Sequence, residues 1–113
     1  METVVFTGFE GVQLVADIRG DPDGWPVLLL HGGGQTRHAW GTAAERIAEE
    51  GWRTVSLDLR GHGESDWAPR SDYSFTAFGS DVVEHYANGA RVEIAAFDAA
   101  VTDWELRRGF ERL

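Results

Sequence analysis

Leu28-Leu29-Leu30-His31-Gly32-Gly33-Gly34 is an apolar run that passes directly into three consecutive glycines. Val27 to Leu30 is continuously apolar and short, which suits a central strand covered on both faces. Glycines at the end of such a strand bring bare main-chain N–H groups together at a strand-to-helix turn. That geometry stabilises an anion or a developing oxyanion.

Upstream, Thr3 to Phe6 and Val12 to Arg19 are β-rich runs joined by Thr7-Gly8-Phe9-Glu10-Gly11, which reads as a hairpin. Val12, Leu14, Ala16 and Ile18 fall on one face of the second run. Gln13, Asp17 and Arg19 fall on the other, as in a half-solvated antiparallel strand. Asp21-Pro22-Asp23-Gly24 breaks the chain before the glycine-tipped strand.

Downstream, Thr36 can cap a helix in which Trp40, Ala43, Ala44, Ile47 and Ala48 recur at helical spacing, and Gly51 ends it. Thr54 to Leu59 is the next strand, and the strand-helix-strand order implies a right-handed parallel crossover. Its end feeds the polar loop Arg60-Gly61-His62-Gly63-Glu64-Ser65-Asp66-Trp67. A second helix is expected from Ser74 to about Asn88, a strand over Arg91 to Phe97, and a last helix from about Asp98. The pattern is α/β: a three-layer sandwich with an N-terminal antiparallel hairpin, parallel strands and a sheet of about five strands in one domain, residues 1–113. In such sheets the functional crevice lies at the carboxyl ends of the parallel strands. Both loops, Gly32 to Gln35 and Arg60 to Trp67, leave from those ends.

Nineteen acidic against ten basic residues give a net charge of −9, which repels a phosphate backbone and anionic lipid. No nucleic-acid or membrane partner is therefore expected, and a small-molecule substrate is the natural one. With no cysteine, thiolate metal sites, disulfides and a cysteine nucleophile are excluded. The run from Met1 has no charged start and apolar core, and no apolar stretch approaches about 18 residues, so the expected location is cytoplasmic.

The ordered set His31-Gly32-Gly33-Gly34-Gln35 with Trp40, then Asp58-Leu59-Arg60-Gly61-His62-Gly63-Glu64-Ser65-Asp66, then Tyr73-Ser74-Phe75, resembles the N-terminal portion of the α/β-hydrolase family, in its esterase, epoxide hydrolase and haloperoxidase-like group. The resemblance implies hydrolysis of a carboxylic ester or a similar small substrate, without a cofactor. It implies that the Gly33 N–H is an oxyanion donor, that Gly32 and Gly34 let the loop bend close to substrate, and that Arg60 to Asp66 shapes the entrance. The family's catalytic centre needs a G-x-S-x-G elbow on the strand after the second helix, and this sequence has none. Ala90 to Ile94 resembles instead the family's last strand, followed by a stretch like its final helix. The chain thus reads as a hydrolase sheet lacking its nucleophile region.

Several candidates compete for the remaining chemistry. Gly63-Glu64-Ser65-Asp66-Trp67 approaches the elbow but lacks its final glycine, so Ser65 with His62 and Asp66 forms a catalytic candidate. The alternative is that Ser65 and Asp66 stabilise a turn through local bonds, since three residues so close in sequence align poorly as nucleophile, base and orienter. His31 can be a base or a structural ring holding the glycine loop, and His38 and His85 read as surface residues. Trp67 stands in a polar loop and suits an entrance or an interface. A cation site would gather His31, His62, Asp58 and Glu64, but no pair has a recognised ligand spacing, and no metal is expected. A small nucleotide or anion binder is a third reading, although Arg37 replaces the third glycine of a dinucleotide fingerprint. A catalytically inactive scaffold is the second. On the hydrolase layout the Thr54 to Leu59 strand loses a neighbour, which predicts either insertion of the Arg91 to Phe97 strand beside it or a homodimer or strand-exchanged oligomer.

Overall fold

The computed structural model describes residues 1–74, Ala77, Ser80, Asp81 and the main chain of Glu93–Ala96. The hairpin forms as β1 (Glu2–Thr7) and β2 (Gln13–Gly20), antiparallel, with Val5 opposite Val15, and joined through a 3-10 turn at Phe9–Gly11. β3 spans Pro26–Leu30, α1 Gly41–Glu49, β4 Arg53–Leu57 and β5 Glu93–Ala96. The sheet order is β1-β2-β4-β3-β5, mixed, with β3 parallel to both β4 and β5. The remainder of the expected second helix, the expected last helix and His85 lie outside the described residues.

Strand alternation divides the apolar side chains between two faces. Leu14, Ala16, Leu28, Leu30, Val55 and Leu57 form one buried cluster, extended by the half-buried Val4, Phe6 and Ile18. Val27 and Leu29 point the other way, where Ala44 of α1, Trp40, Ile47 and Trp52 cover them. β3 is therefore apolar at every position because both of its faces are covered.

Three expectations are corrected. β4 is not short of a neighbour: it lies between β2 and β3, and β5 pairs with β3 rather than inserting beside β4. The antiparallel hairpin supplies the partner, with Ala16 opposite Leu57. Thr36 caps a 3-10 turn, Arg37–Trp40, its hydroxyl accepting from His38 N, and α1 proper begins only at Gly41. Finally, the second face of β2 is not solvated at Asp17, which is buried; its carboxylate accepts from Thr3 Oγ1 at 2.7 Å and faces Arg37. Among the described residues no helix is long and apolar enough to cross a membrane.

Candidate functional site

Leu30 at the end of β3 lies beside Leu57 at the end of β4, so the two strands deliver their loops to one edge of the sheet. The glycine turn is closed by Gln35, whose N–H donates to the Gly32 carbonyl at 3.1 Å and whose Oε1 accepts from Gly32 N at 2.8 Å. Gly34 has φ +78°, a left-handed conformation that glycine adopts without strain. Its N–H donates to His62 Nε2 at 3.2 Å. Gly33 is exposed, and its N–H has no acceptor among the described residues.

His31 is fully buried beneath this turn. Its Nδ1 stands 2.8 Å from the Gly32 carbonyl and its Nε2 accepts from Leu59 N at 3.0 Å. A carbonyl only accepts, so the ring is the neutral Nδ1–H tautomer. Burial pushes its pKa down, with the nearby His62 acting in the same direction. The ring therefore spends both nitrogens holding the glycine turn to the loop after β4.

Asp58 is the hub between the loops. Its fully buried carboxylate accepts from Arg37 N at 2.6 Å, from the Arg37 guanidinium at 2.6 Å and from Glu64 N at 3.0 Å. Burial opposes its charge, but the N–H groups of Glu64 and Arg37 and the guanidinium prevail and hold its pKa below the usual carboxylate range. A Cβ at Gly63, where φ is +52°, would overlap this carboxylate, so the loop needs glycine there. Arg37 also reaches Glu64 Oε1 at 2.8 Å, and its Nε lies 3.2 Å from Asp17 Oδ2 in an ion pair that is not aligned as a hydrogen bond. Against its own burial, hydrogen bonds to Glu64 and Asp58 raise the Arg37 pKa above its already high value.

A second buried arginine braces the far side of the same loop. Arg60 makes a two-pronged pair with Asp81, at 2.8 and 2.7 Å. Further donors reach Glu10 Oε1, the Asp72 carbonyl and the Phe9 carbonyl, and the guanidinium lies 5.8 Å from the Phe9 ring centroid. Burial opposes its charge, yet the Asp81 carboxylate raises its pKa.

The structure gives Ser65, His62 and Asp66 separate duties. The buried Ser65 Oγ donates to the Asp58 carbonyl at 2.6 Å and accepts from Val15 N at 2.9 Å. Asp66 Oδ2 accepts from Gln13 N at 3.0 Å. His62 spends Nδ1 on the Arg60 carbonyl at 3.0 Å and Nε2 on Gly34. No side-chain hydrogen bond joins the three; His62 and Ser65 meet only through a main-chain turn. Trp67 is 80% exposed at the rim of this loop, and His38 is exposed. Asp58 and Glu64 turn to Arg37, and among the described residues no group of three or more metal-ligating side chains converges.

Sequence reasoning missed Arg37, Asp17, Arg60 and Asp81. Their ion-pair partners lie 20 to 50 residues away along the chain, and only an arginine set between a glycine turn and a helix hints at an inward role.

With this geometry in view, the comparison with known proteins is direct. Residues 26–97 match the family model of the α/β hydrolase fold, and the chain belongs to that family. It is similar to the epoxide hydrolase VrEH1 of Vigna radiata, with a TM-score of 0.79 and 27% identity, covering 93% of this chain and 34% of that one. It is 35% identical over 83 residues to protein phosphatase methylesterase 1 of Bos taurus, covering 73% of this chain and 22% of the methylesterase. A stretch of 37 residues is 76% identical to the gamma-glutamylethanolamide synthetase GlnA4 of Streptomyces coelicolor, which is 33% of this chain and 8% of that enzyme. The chain spans less than a quarter of the length of these two curated relatives.

Proposed function

We propose that the chain carries the oxyanion-binding half of an esterase-like site, in which the Gly32 to Gly34 turn receives the carbonyl or carboxylate oxygen of a small ester-class ligand. One observation carries the reading: Gly33 is an exposed residue just past the carboxyl end of β3, and its N–H has no acceptor among the described residues. An unpaired main-chain donor held in a fixed turn costs no reorganisation when an oxygen arrives. The family relationship and the methylesterase and epoxide hydrolase relatives support the ligand class.

The reading leaves Ser65 out of the chemistry. A nucleophile needs its proton taken by an adjacent base, whereas the Ser65 proton goes to the Asp58 carbonyl and its lone pair to Val15 N. The 113-residue chain is therefore expected to bind a carboxylate but to hydrolyse p-nitrophenyl acetate no faster than Ser65→Ala. Loss of ester hydrolysis and of labelling by a serine-directed phosphonate in Ser65→Ala, with the fold retained, would restore the Ser65, His62 and Asp66 site and overturn this assignment. Removal of the buried hydroxyl is expected to cost about 1–3 kcal/mol of stability, read by urea denaturation.

A further inference from the structure

The two histidines under the glycine turn are wired alike and placed differently. In each, Nδ1 donates to a carbonyl, Gly32 for His31 and Arg60 for His62, and Nε2 accepts from a main-chain N–H, Leu59 and Gly34 respectively. The rings approach to 4.9 Å between centroids, tilted by 55°. Both must be neutral for this pattern to hold, because an imidazolium has no acceptor. His31 is sealed in, whereas His62 is half-buried and within reach of water.

We propose that His62 is a proton-operated latch on the glycine turn: the neutral ring holds the Gly34 N–H, and a proton on Nε2 releases that N–H to an oxyanion in front of the turn. Protonation leaves the bond to the Arg60 carbonyl intact and sets Nε2–H against the Gly34 N–H, so the pair that now attracts must separate. The turn has somewhere to go. Gly34 is exposed, with no heavy atom within 4 Å of where a Cβ would stand.

The surrounding charges leave His62 as the group free to switch. His31, at the end of β3, is kept neutral by burial, so its ring places no charge beside His62. Asp58, at the end of β4, is occupied by three donors. On the His62 loop itself, Glu64 is paired to Arg37, and the Arg60 guanidinium is turned to Asp81 and Glu10.

The hydrogen-bond switch stands on the geometry alone, and its ligand consequence rests on the oxyanion reading above, so the test separates them. The Gly34 amide and the His62 ring are followed by NMR from pH 8 to 5, alone and with sulfate, whose charge is constant over that range. The Gly34 amide is expected to shift and lose exchange protection with the same midpoint as the His62 ring. In His62→Gln, whose amide oxygen accepts at every pH, Gly34 is expected to stay protected throughout. Sulfate is expected to move Gly33 and Gly34 more strongly below the midpoint in the wild type. A Gly34 amide indifferent to the His62 midpoint in the wild type overturns the latch, as does an unchanged titration in His62→Gln. A Gly34 amide that follows His62 while sulfate moves neither glycine upholds the latch and overturns the oxyanion reading.

Discussion

Two buried arginines brace the loop after β4 from opposite sides, and they differ in what they hold. Arg60 ties that loop to the hairpin turn at Phe9 and Glu10 and to the helical residue Asp81. Arg37 ties it, through Asp58 and Glu64, to the segment that follows the glycine turn. Arg60 joins pieces of scaffold, and Arg37 joins the two loops that form the site. A buried pair is weak evidence for net stability, but removing one partner leaves a stranded charge, and the cost depends on what else can satisfy it.

The largest effect is therefore expected at Arg60. Arg60→Ala strands Asp81, whose remaining donor among the described residues is Phe9 N, and opens a cavity beneath the hairpin turn. A loss of about 3–5 kcal/mol is expected by urea or thermal denaturation, a large part of a typical domain's stability. Arg37→Met should cost less, about 2–3 kcal/mol, because Asp58 keeps its main-chain donors from Arg37 N and Glu64 N. Its larger consequence is local: faster amide exchange at Gly32 to Gln35 in a chain that still unfolds cooperatively. Equal global losses for the two variants, with no local change in Arg37→Met, would break the contrast between scaffold and site.

A graded acid response sharpens the same contrast. The pKa of His31 is lowered by burial, so the fold favours its neutral form. That stability is complete above the unfolded value of 6.5 and is lost as pH falls below it. Asp58 is also held below its usual value of 3.8, so its contribution is complete above that value and is lost at lower pH. Chemical denaturation across pH should show a first decline below about 6.5, absent in His31→Asn, and a second below about 4.

Much of this arrangement was legible in the residues because it is local. The apolar run Val27 to Leu30, the glycines after it and the turn residues at Gly51 and Gly61 announce strands and loops within a few positions of themselves. What escaped is long-range and polar. Asp17 occupies the outward phase of an alternating strand, and only Arg37, twenty residues later, makes that phase an interior one. The order β2-β4-β3 is invisible to periodicity, so β4 was expected to lack the neighbour that the hairpin supplies. The triplet His62, Ser65 and Asp66 looked like chemistry because sequence shows residue types without their bonds. In the fold those bonds stitch the loop to β2 and to the glycine turn.

The central claim is that Gly33 presents a free donor to an oxygen ligand. Titration of the 113-residue chain with acetate at pH 7.5, followed at the main-chain amides, tests it most directly. A saturable downfield shift confined to Gly33 and its neighbours, with the remote turn glycine Gly11 unmoved, is the predicted result. A Gly33 amide that stays still, or moves no more than sodium chloride of equal ionic strength moves it, would contradict the claim.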